Sequence, residues 1–239
     1  MTYDVTGLSP FKRHWLLKSS NIPRRFLGME PSDIKTGVFP ATVEDWVQDM
    51  VDGAVIRQIG GIGVTGVGLL FDGTPGIGKT THAVVAAMEF IRRLPEDHDE
   101  MRKVLDVDAA VFGIKTRPVL YLSYPEFMAK KKAVFDADPD EARALLDEMD
   151  GIHGRSKNDW LNVRLLILDD LGKEYSTKYT DASFDEILRS RYDRGLPTIV
   201  TTNVALKDWA MEYTEAMASF AKEAFHQVRI VGPDQRGAE

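Results

Sequence analysis

A chain of 239 residues can bury one substantial α/β core plus an extension, and is short for two full domains. It has no cysteine, which excludes a disulfide framework and a thiolate zinc site, and its five histidines lack ligand spacing. A net charge of −7 excludes a protein that coats nucleic acid over its whole surface. With neither a basic start before an apolar run nor a membrane-length apolar stretch, the chain is expected to be soluble and cytoplasmic.

Residues 1–58 read as an N-terminal extension, because Pro10, Pro23, Pro31 and Pro40 interrupt each apolar run. Only 43–58 has a helical pattern there. Lys12, Arg13, Lys18, Arg24 and Arg25 form a basic patch without acids, interleaved with Phe11, Trp15 and Phe26. Such an arm is suited to anchoring on the core or docking on a partner; stacking of bases beside neutralised phosphates is the alternative. Gly60, Gly61, Gly63, Gly66 and Gly68 form a flexible lead-in to the first strand, and residues 59–239 are expected to be the folded unit.

Residues 69–72 read as a strand. The loop that follows, Gly73, Thr74, Pro75, Gly76, Ile77, Gly78, Lys79 and Thr80, spells G-x-x-x-x-G-K-T, and a run of helix formers begins at Thr81. Strand before and helix after are what phosphate binding requires. Glycines let successive N–H groups converge on phosphate oxygens, helped by the helix dipole. Lys79 offers an ammonium to the β- and γ-phosphates, and Thr80 a hydroxyl to Mg²⁺.

Leu94 and Pro95 end that helix, and the acidic stretch 96–100 reads as solvated surface. Residues 119–123 form a buried-type strand, followed by a helix over 125–135 bearing Lys130, Lys131 and Lys132. The acid-rich stretch 136–150 reads as a solvent-facing helix. Residues 165–168 and 198–202 do not alternate polar with apolar, as expected of strands buried on both faces, and 228–231 supply a fifth strand. The expected fold is α/β: a parallel five-stranded sheet flanked by helices.

Asp169 and Asp170 follow the third apolar run, at a strand's carboxyl end, where such sheets bind ligands. Asp169 is expected to hold Mg²⁺, directly or through water, and Asp170 to orient or activate the attacking water; a plain turn is the structural alternative. Asn203 ends the fourth run, where its amide can bond the γ-phosphate or that water, cap a helix, or both. Lys79, Asp170 and Asn203 make the expected catalytic set.

Together, residues 73–80, 165–172 (L-L-I-L-D-D-L-G) and 197–203 (P-T-I-V-T-T-N) resemble the AAA+ ATPases, and more narrowly the DnaC-type helicase loaders and the related IstB-type transposition helpers. The narrower likeness uses I-P-R-R-F at 22–26, Leu-Gly after the acids, Arg191-Tyr192, and G-P-D-Q-R at 232–236. It implies a P-loop NTPase of AAA+ type that binds and hydrolyses ATP with Mg²⁺ and forms homo-oligomers through nucleotide interfaces. The implied partners are a hexameric replicative helicase and the single-stranded DNA on which it is placed, in DNA replication. By position, Lys79 and Thr80 become the nucleotide and Mg²⁺ residues, Asp169 and Asp170 the second acidic motif, and Asn203 the first sensor. Lys130, Lys131 and Lys132 fall where such loaders place a DNA-contacting element, though a lysine cluster also serves as a solvated face.

The chain departs from the family at Lys222, where an arginine is usual; Arg189, Arg191, Arg229 and Arg236 are then the candidate arginine-finger or sensor residues. Only 36 residues follow Asn203, too few for the usual C-terminal helical lid. No N-terminal helicase-binding domain is recognised either, which resembles a compact, phage-type loader. The expectation is a DnaC-like ATP-dependent loader. The alternatives are an IstB-type ATPase on duplex DNA, or a nucleotide-gated DNA- or helicase-binding protein with little hydrolysis.

Overall fold

A sheet whose strands are apolar on both faces needs helices above and below it. The computed structural model, which describes residues 8–35, 39–53, 56–59, 63–172 and 177–235, has that architecture. Gly60, Gly61 and Arg236 lie outside the described residues. The chain begins with α1 (Pro10–His14) and α2 (Ala41–Asp52), then an antiparallel hairpin of β1 (Ile56–Ile59) and β2 (Gly63–Gly66). There follow β3 (Gly68–Asp72), α3 (Lys79–Arg93), α4 (His98–Leu105), β4 (Arg117–Ser123), α5 (Tyr124–Ala133), α6 (Pro139–Ile152) and β5 (Val163–Leu171). The last elements are α7 (Lys178–Tyr192), β6 (Thr198–Thr202), α8 (Trp209–Glu212), α9 (Glu215–Ala224) and β7 (Phe225–Arg229).

The main sheet has five strands in the order β4-β5-β6-β3-β7, all paired in parallel. Leu165 and Ile167 pack on one side with α3, α2 and the N-terminal segment; Leu166 and Leu168 pack on the other with α5, α7 and α9. Covering both faces is why these strands show no polar alternation. Among the described residues no helix follows β7, and none is long and apolar enough to cross a membrane.

The segment before β1 is built into the core. Trp15, Ile22, Phe26, Val43 and Trp46 are buried with residues of α3 and the sheet. The Tyr121 N–H donates to the Ser20 carbonyl at 2.7 Å and Asn21 Nδ2 to the Tyr121 carbonyl at 3.1 Å, so the arm pairs with the free edge of β4. Lys12, read above as part of a basic patch, is 1% exposed. Its ammonium donates to the carbonyls of Arg92 and Leu94 and to Glu96, closing the C-terminus of α3.

Two expected elements have different bounds. The helix over 43–58 stops at Asp52, because Gly53 adopts the left-handed conformation (φ 76°) and donates to the Asp49 carbonyl; β1 begins at Ile56. The fifth strand runs over Phe225–Arg229 rather than 228–231. It is an edge strand on which only Phe225 and Val228 are buried, so its apolar signal is sparse.

Candidate functional site

The carboxyl ends of β3, β5 and β6 converge on one cleft of about 330 Å³, lined by the phosphate-loop residues Gly76, Gly78, Lys79 and Thr80 together with Asp170 and Asn203. The loop turns directly from β3 into α3, and Gly78 at φ 95° caps the helix, so the first-turn N–H groups face the cleft. Lys79 Nζ donates to the carbonyls of Gly73 and Thr74 and to Asn203 Oδ1, each at 2.8 Å. This folds the ammonium back over the loop and ties the end of β6 to it.

Asp169 is held on three sides. It accepts from Thr80 Oγ1 at 2.9 Å, from Tyr121 OH at 2.6 Å and from Thr201 Oγ1 at 2.5 Å, and is 2% exposed. Burial, then the Asp169 charge, pushes the Tyr121 phenol well above its usual range, so it stays a donor at any working pH. The carboxylate is therefore locked beside the Thr80 hydroxyl, an oxygen pair suited to Mg²⁺.

A bulge separates the two acids in role. The β5–β6 register pairs Leu168 with Val200 and then Leu171 with Thr202, so Asp169 and Asp170 together oppose Thr201. Asp170 takes φ 62°, and its N–H donates to Thr201 Oγ1 at 3.0 Å. The kink leaves Asp169 buried and turns Asp170 into the cleft.

The N-terminal segment supplies an adjoining apolar hollow of about 450 Å³, walled by Phe26, Met29 and Ile34 and floored by Ile77, Thr81 and His82. The Arg25 guanidinium lies 4.6 Å from the Phe26 ring centroid and borders both spaces. A phosphate cradle opening into an apolar slot of this size suits a nucleotide whose base enters the slot. The C-terminal residues roof the loop: the Gln235 N–H donates to the Gly76 carbonyl at 2.8 Å, and the Asp234 carboxylate packs directly on Gly76. Gly76 has φ 80°, and a Cβ there would sit 1.9 Å from Asp234 Oδ1.

Gly73 to Thr81, Asp169, Asp170 and Asn203 are thus brought together. Tyr121, Thr201, Arg25, Phe26 and Gln235 join them without having been singled out from the sequence as site residues. The lysine triplet, Arg189 and Arg191 lie elsewhere. Lys130 pairs with Glu148 at 3.3 Å and Lys131 with Glu186 at 2.9 Å, while Lys132 is exposed. Arg191 is fully buried and donates to the carbonyls of Ile152, Val163, Arg164 and Pro197. It clamps the start of β5 and cannot extend to a neighbouring subunit. Arg189 bonds Asp185 at 2.7 Å and lies over the Phe220 ring, and Arg229 is exposed at the cleft end of β7.

No protein-family model matches the chain, and no curated protein matches it. Solved structures share its fold. A crystal structure of DnaI superposes with a TM-score of 0.59 at 21% identity, covering 94% of this chain and 100% of that one. A DnaC helicase loader gives 0.53 at 19% identity, covering 87% and 100%. A candidate primosome component from Streptococcus pyogenes serotype M3 gives 0.56 at 20%, covering 95% and 97%. At these identities the likeness establishes the fold alone, a parallel five-stranded α/β sheet flanked by helices.

Proposed function

We propose that this protein is an ATP-dependent loader that places a hexameric replicative helicase on single-stranded DNA. The observation that carries this reading is the single cleft joining Lys79, the Thr80–Asp169 pair, Asp170 and Asn203, on the fold of a helicase loader. Lys79 and the loop N–H groups bind the phosphates, and the slot of Phe26, Met29 and Ile34 takes the base. Thr80 and Asp169 would hold Mg²⁺, which supplies charge neutralisation at the β- and γ-phosphates. Asp170 accepts the proton of the attacking water, and Asn203 orients that water against the γ-phosphate. Subunits associate through their nucleotide faces, in the cytoplasm. Lys132 contacts the DNA backbone, and Phe135, 77% exposed just past α5, offers a ring for a base to stack on.

A second reading, nucleotide-gated binding with slow hydrolysis, is favoured by the arginines. Arg191 is spent inside the fold and Arg189 is held by Asp185, leaving Arg229 as the described candidate with an open path to a neighbour. ATP turnover with and without DNA and helicase separates the two.

The test of the main reading is helicase deposition on circular single-stranded DNA, with and without this protein and ATP. Deposition that requires both, and is lost in Lys79→Ala, is expected. Failure to bind the helicase, combined with preference for duplex DNA and a transposase, would instead establish the transposition-helper alternative.

A further inference from the structure

At the end of the sheet opposite Lys79, where β4 and β5 begin, two guanidiniums are buried side by side. Arg191 donates to four carbonyls and to the Thr198 hydroxyl, all uncharged. Arg164 is 6% exposed; its Nη1 donates to the Gly195 carbonyl at 3.2 Å, and its Nε has no hydrogen-bond partner. Burial lowers both below the usual guanidinium range, Arg191 to about 9 with Arg164's charge contributing. Among the described residues neither forms a direct ion pair, although the nearby Asp106 carboxylate favours the Arg164 charge. Folded chains rarely bury such charges without an anion, because desolvation costs several kcal/mol per ion.

A cavity of about 180 Å³ opens at Arg164, with Arg117 as a second cation in its wall. An apolar cavity of about 150 Å³ holds a benzene-sized molecule, so this one has room for a small organic acid. Leu105, Val107 and Leu196 supply apolar wall for its carbon chain. Asp106, Asp108 and Asp159 also line the cavity but are exposed, placing negative charge at its mouth. With three carboxylates at the mouth against two guanidiniums, the cavity disfavours a doubly charged oxyanion such as phosphate more strongly than a singly charged one.

We propose that this cavity is a binding site for a small organic monocarboxylate, whose oxygens pair with Arg164 and whose chain lies against Leu105 and Leu196. It is separate from the phosphate loop and at the far end of the same strands.

The experiment is a propionate titration of the full-length, isotopically labelled protein at constant ionic strength, followed by amide NMR and thermal shift. Saturable movement of the Thr116, Arg164 and Gly195 amides is expected, with inorganic phosphate leaving them in place. Arg164→Met should weaken the apparent affinity by about tenfold or more, as loss of a charge-assisted pair does. Propionate shifts that are absent, or confined to residues 73–81, would overturn the proposal, as would an unchanged affinity in Arg164→Met. Equal phosphate binding at the same amides would overturn it as well. Should Arg164→Met not fold, the wild-type amide map decides alone.

Discussion

Replacing Thr201 by valine keeps the side chain's shape and removes one hydroxyl that serves both acids. That hydroxyl is buried, donates to Asp169 Oδ1 at 2.5 Å and accepts the Asp170 N–H at 3.0 Å. A hydrogen bond to a charged group contributes about 1.5–3 kcal/mol, and leaving a buried donor unsatisfied costs about 1–3 kcal/mol more. Asp170 is only partly buried, so water recovers part of the second loss, and about 3 kcal/mol is the expected destabilisation. For a chain of this size that lowers Tm by about 6–12 °C. Asp169, freed on one side, should also hold Mg²⁺ less well. Unfolding monitored by circular dichroism gives the first quantity, and nucleotide binding titrated against Mg²⁺ the second. Thr201→Ser retains the hydroxyl and should cost about 1 kcal/mol, the loss of one methyl. A Thr201→Val protein within about 0.5 kcal/mol of wild type, or one no worse than Thr201→Ser, would refute the argument that the bulge is pinned through this oxygen.

His153 is buried, and burial, aided by Arg155, lowers its pKa from 6.5 to about 4. The folded chain then stays neutral there while the unfolded chain takes up a proton, so stability falls as pH drops from about 6.5 to about 4, by up to about 3 kcal/mol. His153→Leu should remove that part of the slope, read from urea midpoints at pH 7.5 and 4.5; identical slopes would contradict the burial argument. Gly76→Ala forces a side chain into φ 80° and against Asp234, and should cost about 1–2 kcal/mol together with nucleotide affinity. Lys132→Ala should reduce the salt slope of single-stranded DNA binding by about 0.7, whereas Lys130→Ala, already paired with Glu148, should change it less. Asp170→Asn should abolish hydrolysis while ATP still binds; retained turnover would move the general base elsewhere.

The phosphate loop and the paired acids were legible because each is a local signal: a few consecutive residues between elements whose periodicity is plain. The five-stranded sheet was legible for the same reason, except at its edge, where Phe225–Arg229 buries only two side chains. Tyr121 escaped notice because its bond to Asp169 joins neighbouring strands 48 residues apart, and nothing local marks it. Thr201 looked like any strand threonine until the β5 bulge set two acids against it. Lys12 read as surface charge because composition does not show that its ammonium closes the end of α3. Phe26 and Arg25 read as part of an arm that anchors on the core or docks on a partner; the arm packs into the core, and its path along β4 carries them over the phosphate loop, which no local signal shows. Arg191, a site candidate only through the family resemblance, is committed to backbone carbonyls, a role that depends on β5 and β6 having formed.

The central claim is that the loop from Gly73 to Thr81 and the hydroxyl-bound Asp169 bind a magnesium nucleotide as one unit. Calorimetric titration of ATP into wild type, Lys79→Ala and Asp169→Asn, each with and without Mg²⁺, tests it most directly. Saturable wild-type binding that is strengthened by Mg²⁺, lost in Lys79→Ala and insensitive to Mg²⁺ in Asp169→Asn is predicted. Wild type that binds no ATP, or binds it equally well in all three proteins, would contradict it.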